Sequence, residues 1–221
     1  MALVMYDLDG TLLDTAGEIT DAVNRTLTLY DQPAVDEAQV RTWIGHGTAW
    51  LMKQAWHTTE RIPAPAWDEV MNHFTRHYIE TVGTTSQLYP FVRETLHKVK
   101  KKGIKQAVIT NKEQQFTEPL LKQHGLADFF NLIISGDTLA VKKPNPQVIH
   151  YCLNTLRESS DSSLFVGDSE IDVATAKSAG VLCWAVPYGY NAGHDIRLAN
   201  PDRLIEDIRE VPDFLIKIMA I

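Results

Sequence analysis

Four short apolar runs, each stopping at polar or small residues, constrain this chain most. Leu3 to Tyr6 leads into Asp7, Ala107 to Ile109 into Thr110-Asn111, Leu132 to Ile134 into Ser135-Gly136-Asp137, and Leu164 to Val166 into Gly167-Asp168. A fifth run, Val181 to Val186, follows Gly180. Unbroken apolar runs of this length suit strands buried on both faces, as in a parallel sheet. Parallel neighbours need crossovers, and helical patterns lie between the later runs. Val92, Leu96 and Val99 recur at helical spacing and end in Lys100-Lys101-Lys102-Gly103, a basic last turn with a glycine stop. Other helices are predicted to end over Pro119 to Gly125, to run from Pro146 to Leu156, and to close over Ala174 to Gly180. The alternation predicts an α/β fold, a Rossmann-like and mostly parallel sheet with helices on both faces.

One interval breaks the rhythm. From Asp7 to the next strand near Ala107 is about a hundred residues, several times the ~30 of one βαβ unit. Within it Ile19 to Tyr30, Trp50 to Trp56 and Trp67 to Ile79 are helix-like, and no strand pattern is convincing. The expectation is an all-helical cap over residues 15–85, inserted after the first strand into a core formed by 1–14 and 86–221.

Composition removes some function classes. The net charge of -7 argues against general binding to nucleic acid or anionic lipid. No apolar run approaches the ~18 residues of a membrane span, and the N-terminus has no basic start. Cys152 and Cys183 lie outside any CxxC pattern and read as buried core residues. A cytoplasmic protein is expected.

The chemistry gathers at the ends of the runs. In Asp7-Leu8-Asp9-Gly10-Thr11, residues i and i+2 project to one side of an extended chain, so both carboxylates face a point beyond the strand end. Gly10 allows a tight turn there. Asp168 follows another buried strand, with Asp172 one helical turn on and placed to hold a water or orient a lysine. Oxygen ligands from separate strand ends suit a hard cation such as Mg²⁺; Asp168 as a helix N-cap is the plainer alternative. The Thr110 hydroxyl and Asn111 amide are placed to grip phosphate oxygens. Lys143, held between Lys142 and Pro144 before a second proline at 146, is a lysine on a stiffened backbone.

In order and content these elements resemble the signature motifs of the haloacid dehalogenase-like hydrolases, over almost the whole chain. The resemblance implies that Asp7 is the nucleophile toward phosphorus and Asp9 the general acid and base. Thr110 and Lys143 hold the phosphate, Asp168 joins Asp7 and the Asp9 carbonyl around Mg²⁺, and Asp172 supports them. Gly10, Thr11 and Asn111 are the expected substrate contacts of the core. The insertion resembles the cap of one branch, and Arg41 to Gly47, Val108 to Lys112, Ser135 to Leu139 and Tyr188 to Asn191 resemble the bacterial phosphoglycolate phosphatases. Tyr6, Thr15, Gly17 and Phe91 depart from the family pattern, and Phe91 adds bulk near a turn. On this reading the partner is a small phosphorylated metabolite, with His46 and Gly47 the cap's candidates for its carboxylate and Lys53 a weaker one. A β-phosphoglucomutase-like mutase would share the same core residues. A phospho-accepting signalling domain would lack the long insertion.

Overall fold

The apolar runs become strands of a six-stranded sheet in the order β5-β4-β1-β6-β7-β8, every neighbouring pair parallel. The computed structural model describes residues 2–56 and 64–219. Residues 57–63, inside the expected cap, lie outside the described residues, as do Met1, Ala220 and Ile221. Along the chain come β1 (Leu3–Tyr6), β2 (Leu13–Asp14), α1 (Ala16–Thr28), α2 (Glu37–Arg41), α3 (Thr48–Ala55), α4 (Ala64–Thr81) and β3 (Gln87–Leu88). Then follow α5 (Val92–Lys101), β4 (Lys105–Ile109), α6 (Gln114–Gln123), β5 (Leu132–Ile134), α7 (Gln147–Leu156), β6 (Ser163–Gly167), α8 (Glu170–Ser178), β7 (Leu182–Ala185), β8 (Arg203–Leu204) and α9 (Val211–Met219).

Side chains alternate along β1 and divide the core in two. Val4 and Tyr6 pack with Leu96 and Val99 of α5, Leu120 of α6 and Leu215 of α9. Leu3 and Met5 face the other way, onto Ile149 and Cys152 of α7 and Val173 and Ala176 of α8. A third cluster joins α1, α3 and α4 through Ile19, Val23, Met52, Val70 and Phe74, and takes in Phe116 of α6 and Tyr190 from beyond β7. Both cysteines are buried. No helix among the described residues is long and apolar enough to cross a membrane.

The long interval does contain strands, contrary to expectation. β2 and β3 pair antiparallel, Leu13 with Leu88 and Asp14 with Gln87, and so bring together the two chain segments that bracket α1 to α4. Two residues are too few for an alternating pattern, so only the pairing itself reveals them. The helix expected to end over Pro119 to Gly125 is α6, which ends at Gln123 with Pro119 inside it.

Candidate active site

In open α/β sheets ligands gather beyond the carboxyl ends of the strands, where the chain leaves to opposite sides. Here that point lies at central β1, between β4 and β6. Asp7 follows β1 and its N–H donates to the Val166 carbonyl of β6 at 2.9 Å. Leu8 then folds the chain back, its carbonyl accepting from the N–H groups of Thr11, Leu12 and Leu13. Gly10 takes φ +86, and a Cβ there would stand 2.3 Å from an Asp168 carboxylate oxygen, so both conformation and close approach demand glycine.

Asp7, Asp168 and Asp172 present oxygens within 4.8 Å of one another, all three buried. Lys143 enters this cluster with its Nζ 2.7 Å from Asp7 Oδ1 and 2.7 Å from Asp172 Oδ1. Burial alone would lower the lysine's pKa, but Asp172 and Asp7 outweigh it and hold the ammonium above its ordinary value. Burial, then the charge of Asp172, pushes Asp168 up to about 7. Burial raises Asp7 well above the carboxylate range too, with Asp172 and Asp168 adding to the rise and Lys143 opposing it. Three crowded carboxylates with one lysine are short of positive charge. That donor set fits a hard divalent cation with oxygen ligands.

The acids are not equivalent. Asp172 Oδ2 accepts from the Asp168 and Ser169 N–H groups and the Ser169 hydroxyl, while Oδ1 accepts from Lys143. That carboxylate is committed to orienting the lysine and the loop after β6. Asp168 accepts the Thr11 hydroxyl at 2.7 Å on Oδ1 and the Tyr190 N–H at 2.8 Å on Oδ2, which fixes its direction. Gly189 permits this: a Cβ there would meet Asp168 atoms at 2.2 Å. Gly189→Ala should therefore lose about 1–3 kcal/mol of stability by overpacking, measured by urea denaturation.

Asp9 turns to another cation. Its carboxylate accepts from the Thr15 hydroxyl at 2.7 Å, and from Lys112 Nζ at 2.9 Å on Oδ1 and 3.1 Å on Oδ2. The Asp9 side chain thus stands apart from the Asp7, Asp168 and Asp172 cluster, although Asp7 and Asp9 line the same cavity. Thr110, Asn111 and Lys112 line it from the core. Ile19, Trp43, Ile44, Gly45, Gly47 and Thr48 line it from the helical segment between β2 and β3.

Other expected contacts sit differently. The Thr11 hydroxyl is bound to Asp168, and Thr11 is fully buried. The Asn111 amide donates to the Gly45 and Lys143 carbonyls at 2.8 and 3.0 Å and accepts the Lys143 N–H at 2.9 Å. It ties the lysine segment to the insertion at the edge of the cavity that Asn111 helps to line. The His46 ring packs on Trp50 at 4.6 Å, its carbonyl accepts from Lys142 Nζ, and it is not among the cavity-lining residues, whereas Gly47 is. Lys53 is exposed on α3 and likewise not among them.

Sequence reasoning assigned no role to Lys112 or Tyr190. The Tyr190 hydroxyl accepts from the Thr15 and Ala16 N–H groups and donates to Asp14, so one residue links Asp168 to the start of α1. The advance signals were position and resemblance: Lys112 follows Thr110-Asn111 at a strand end, and both residues lie in stretches singled out by resemblance.

The sequence model of the haloacid dehalogenase-like hydrolases matches residues 4–186, and the chain belongs to that family. It is an enzyme of the phosphoric monoester hydrolase class, phosphoglycolate-phosphatase-like in sequence. It is 39% identical over 214 residues to the phosphoglycolate phosphatase of Pseudomonas syringae pv. tomato, covering 95% of this chain and 78% of that protein. With the phosphoglycolate phosphatase of Photorhabdus laumondii it shares 36% identity over 210 residues, 94% of this chain and 89% of the other. A crystal structure from Haemophilus somnus, described as a predicted phosphoglycolate phosphatase, superposes with a TM-score of 0.92 at 30% identity, covering 97% of each chain.

Proposed function

We propose that this chain is a Mg²⁺-dependent phosphatase of the cytoplasm that hydrolyses 2-phosphoglycolate to glycolate and phosphate through an aspartyl-phosphate on Asp7. The observation that carries the reading is the position of Asp7, lining the cavity with Lys143 Nζ at 2.7 Å and Asp168 in the same cluster. Asp7, Asp168 and the Asp9 carbonyl are the proposed holders of Mg²⁺, which when bound offsets the repulsion between a carboxylate and a phosphate dianion. The 36–40% identity to enzymes named phosphoglycolate phosphatase supports the substrate.

In the first half-reaction an Asp7 oxygen forms a bond to phosphorus as the bond to the ester oxygen breaks. Asp9 gives that oxygen its proton. In the second, water attacks phosphorus, Asp9 takes the water's proton, and the Asp7 carboxylate is regenerated with phosphate released. Lys143 and the Thr110 hydroxyl stabilise charge on the transferring oxygens. Residues 15–85 act as a cap. The cavity is lined both by the core and by residues of this segment, so movement of one against the other controls substrate entry.

The test is phosphate release from a panel of small esters, with Mg²⁺ and with chelator. Phosphoglycolate should give the highest kcat/KM, and chelation should lower its rate about a thousandfold. Preference for a nucleotide, a hexose phosphate or pyrophosphate would overturn the substrate. Chelator-insensitive turnover would overturn the metal.

A further inference from the structure

We infer that Lys112 is the specificity-determining cation of this site, the group that receives the substrate's carboxylate. The inference rests on the phosphoglycolate reading and deepens it. Phosphate and carboxylate in that substrate are separated by a single methylene, so the cation that reads the carboxylate must stand beside the phosphate ligands. Lys112 lies two residues after Thr110 in the loop beyond β4, and its own N–H donates to the Thr110 hydroxyl at 3.1 Å.

The cavity's charge leaves few other choices. Asp7, Asp9 and Glu113 line it with carboxylates, and Lys112 is its only cationic side chain among the described residues. The wall from the insertion is largely apolar, with Ile19, Trp43, Leu51 and Phe74, and such a wall cannot favour a carboxylate over a methyl group. Lys142 is exposed and bonded to the His46 carbonyl, and Lys143 is held between Asp7 and Asp172.

Lys112 is also built as a fixed donor rather than a solvated one. Its side chain is 3% exposed, its Nζ lies 4.9 Å from the Tyr78 ring centroid, and it donates to the Tyr78 hydroxyl. Tyr78 is in turn packed on Phe116 at 4.3 Å. An ammonium has three donors, and here Asp9 and Tyr78 are its partners. A substrate carboxylate enters as a rival to Asp9 for the same ammonium. Taking that ammonium over frees the Asp9 carboxylate to face the ester oxygen. A neutral-ended ester cannot make this exchange.

The experiment compares kcat/KM for 2-phosphoglycolate and for ethyl phosphate, which carries a methyl group in place of the carboxylate. Lys112→Met should lower the ratio of the two values by about 10- to 100-fold, the range expected for one charge-assisted hydrogen bond. Lys112→Arg keeps a charge opposite Asp9 but moves its donors, and should lower the ratio several-fold; it carries the test if Lys112→Met fails to fold. Losses equal on both esters in the folded variant would mean that Lys112 only holds Asp9, and would overturn the assignment while phosphoglycolate remained the substrate. Unaltered protein with no preference for the carboxylated ester would overturn the phosphoglycolate reading, and Lys112's role with it.

Discussion

Asp7→Asn should abolish turnover while leaving the protein as stable as before, or more so. A neutral amide oxygen is too weak a nucleophile to attack phosphorus, and among the described residues no other carboxylate stands where Asp7 does. Asp172 is bound by four donors, and Asp9 is turned to Lys112 and Thr15. The fall in kcat should be about 10⁴-fold or more. Stability moves the other way because Asp7 is a buried acid crowded by Asp172 and Asp168. Asparagine fills the same volume without a charge, and Lys143 keeps its partner in Asp172. The checks are single-turnover phosphate release and urea denaturation of the same preparation. A variant that retained a tenth of the activity would remove Asp7 as nucleophile. A variant that lost several kcal/mol would show that its charge supports the fold instead.

Such opposite movements are what a site built for function leaves in a fold, and they explain which parts could be read from the chain alone. Five of the six strands of the parallel sheet were legible because burial on both faces demands unbroken apolar runs; β8, two exposed residues at the sheet's edge, has no such run and was missed. Polar residues at the ends of those runs marked the site's position. Asp172 was legible as a residue able to orient a lysine and Lys143 as a lysine near the site, but not that the two are partners, because they meet across 29 residues. The Lys112 and Asp9 pair spans 103 residues, and the Tyr190 hydroxyl reaches Thr15 across 175. No local pattern encodes such pairings. His46 lies off the cavity lining, and the sequence reports a local reason, if weakly: Trp50 follows four residues later and offers its ring a partner. Thr11 and Asn111 look like substrate donors in a list of motifs, but their hydrogen bonds go to Asp168, Gly45 and Lys143.

Lys143→Met should destabilise the metal-free protein by about 3–5 kcal/mol at pH 7.5, the cost of leaving buried carboxylates without their counter-charge. The lysine is 2% exposed and sits 2.7 Å from both Asp7 and Asp172. The loss should shrink markedly at pH 5. Asp168 has its folded pKa raised to about 7 and Asp7 is raised as well, so both sit above their unfolded values. Between about pH 4 and pH 7 the folded state therefore binds protons that the unfolded chain has released. Stability from these groups is present at low pH and is lost as pH rises through the folded pKa. Asp7 and Asp168, once protonated, need no lysine, so the difference between Lys143→Met and the unaltered protein should widen from pH 5 to pH 7.5. Acid effects elsewhere in the chain occur in both proteins and cancel in that difference. Mg²⁺ at a hundred times its dissociation constant should return about 2.7 kcal/mol to the unaltered protein at pH 7.5 if it binds only the folded state. At pH 5 protons compete for the same oxygens and the gain should be smaller. The measurement is denaturant unfolding of both proteins at the two pH values, with chelator and with Mg²⁺. A loss near zero, or one equal at both pH values, would show that Lys143 does not balance the charge of this cluster.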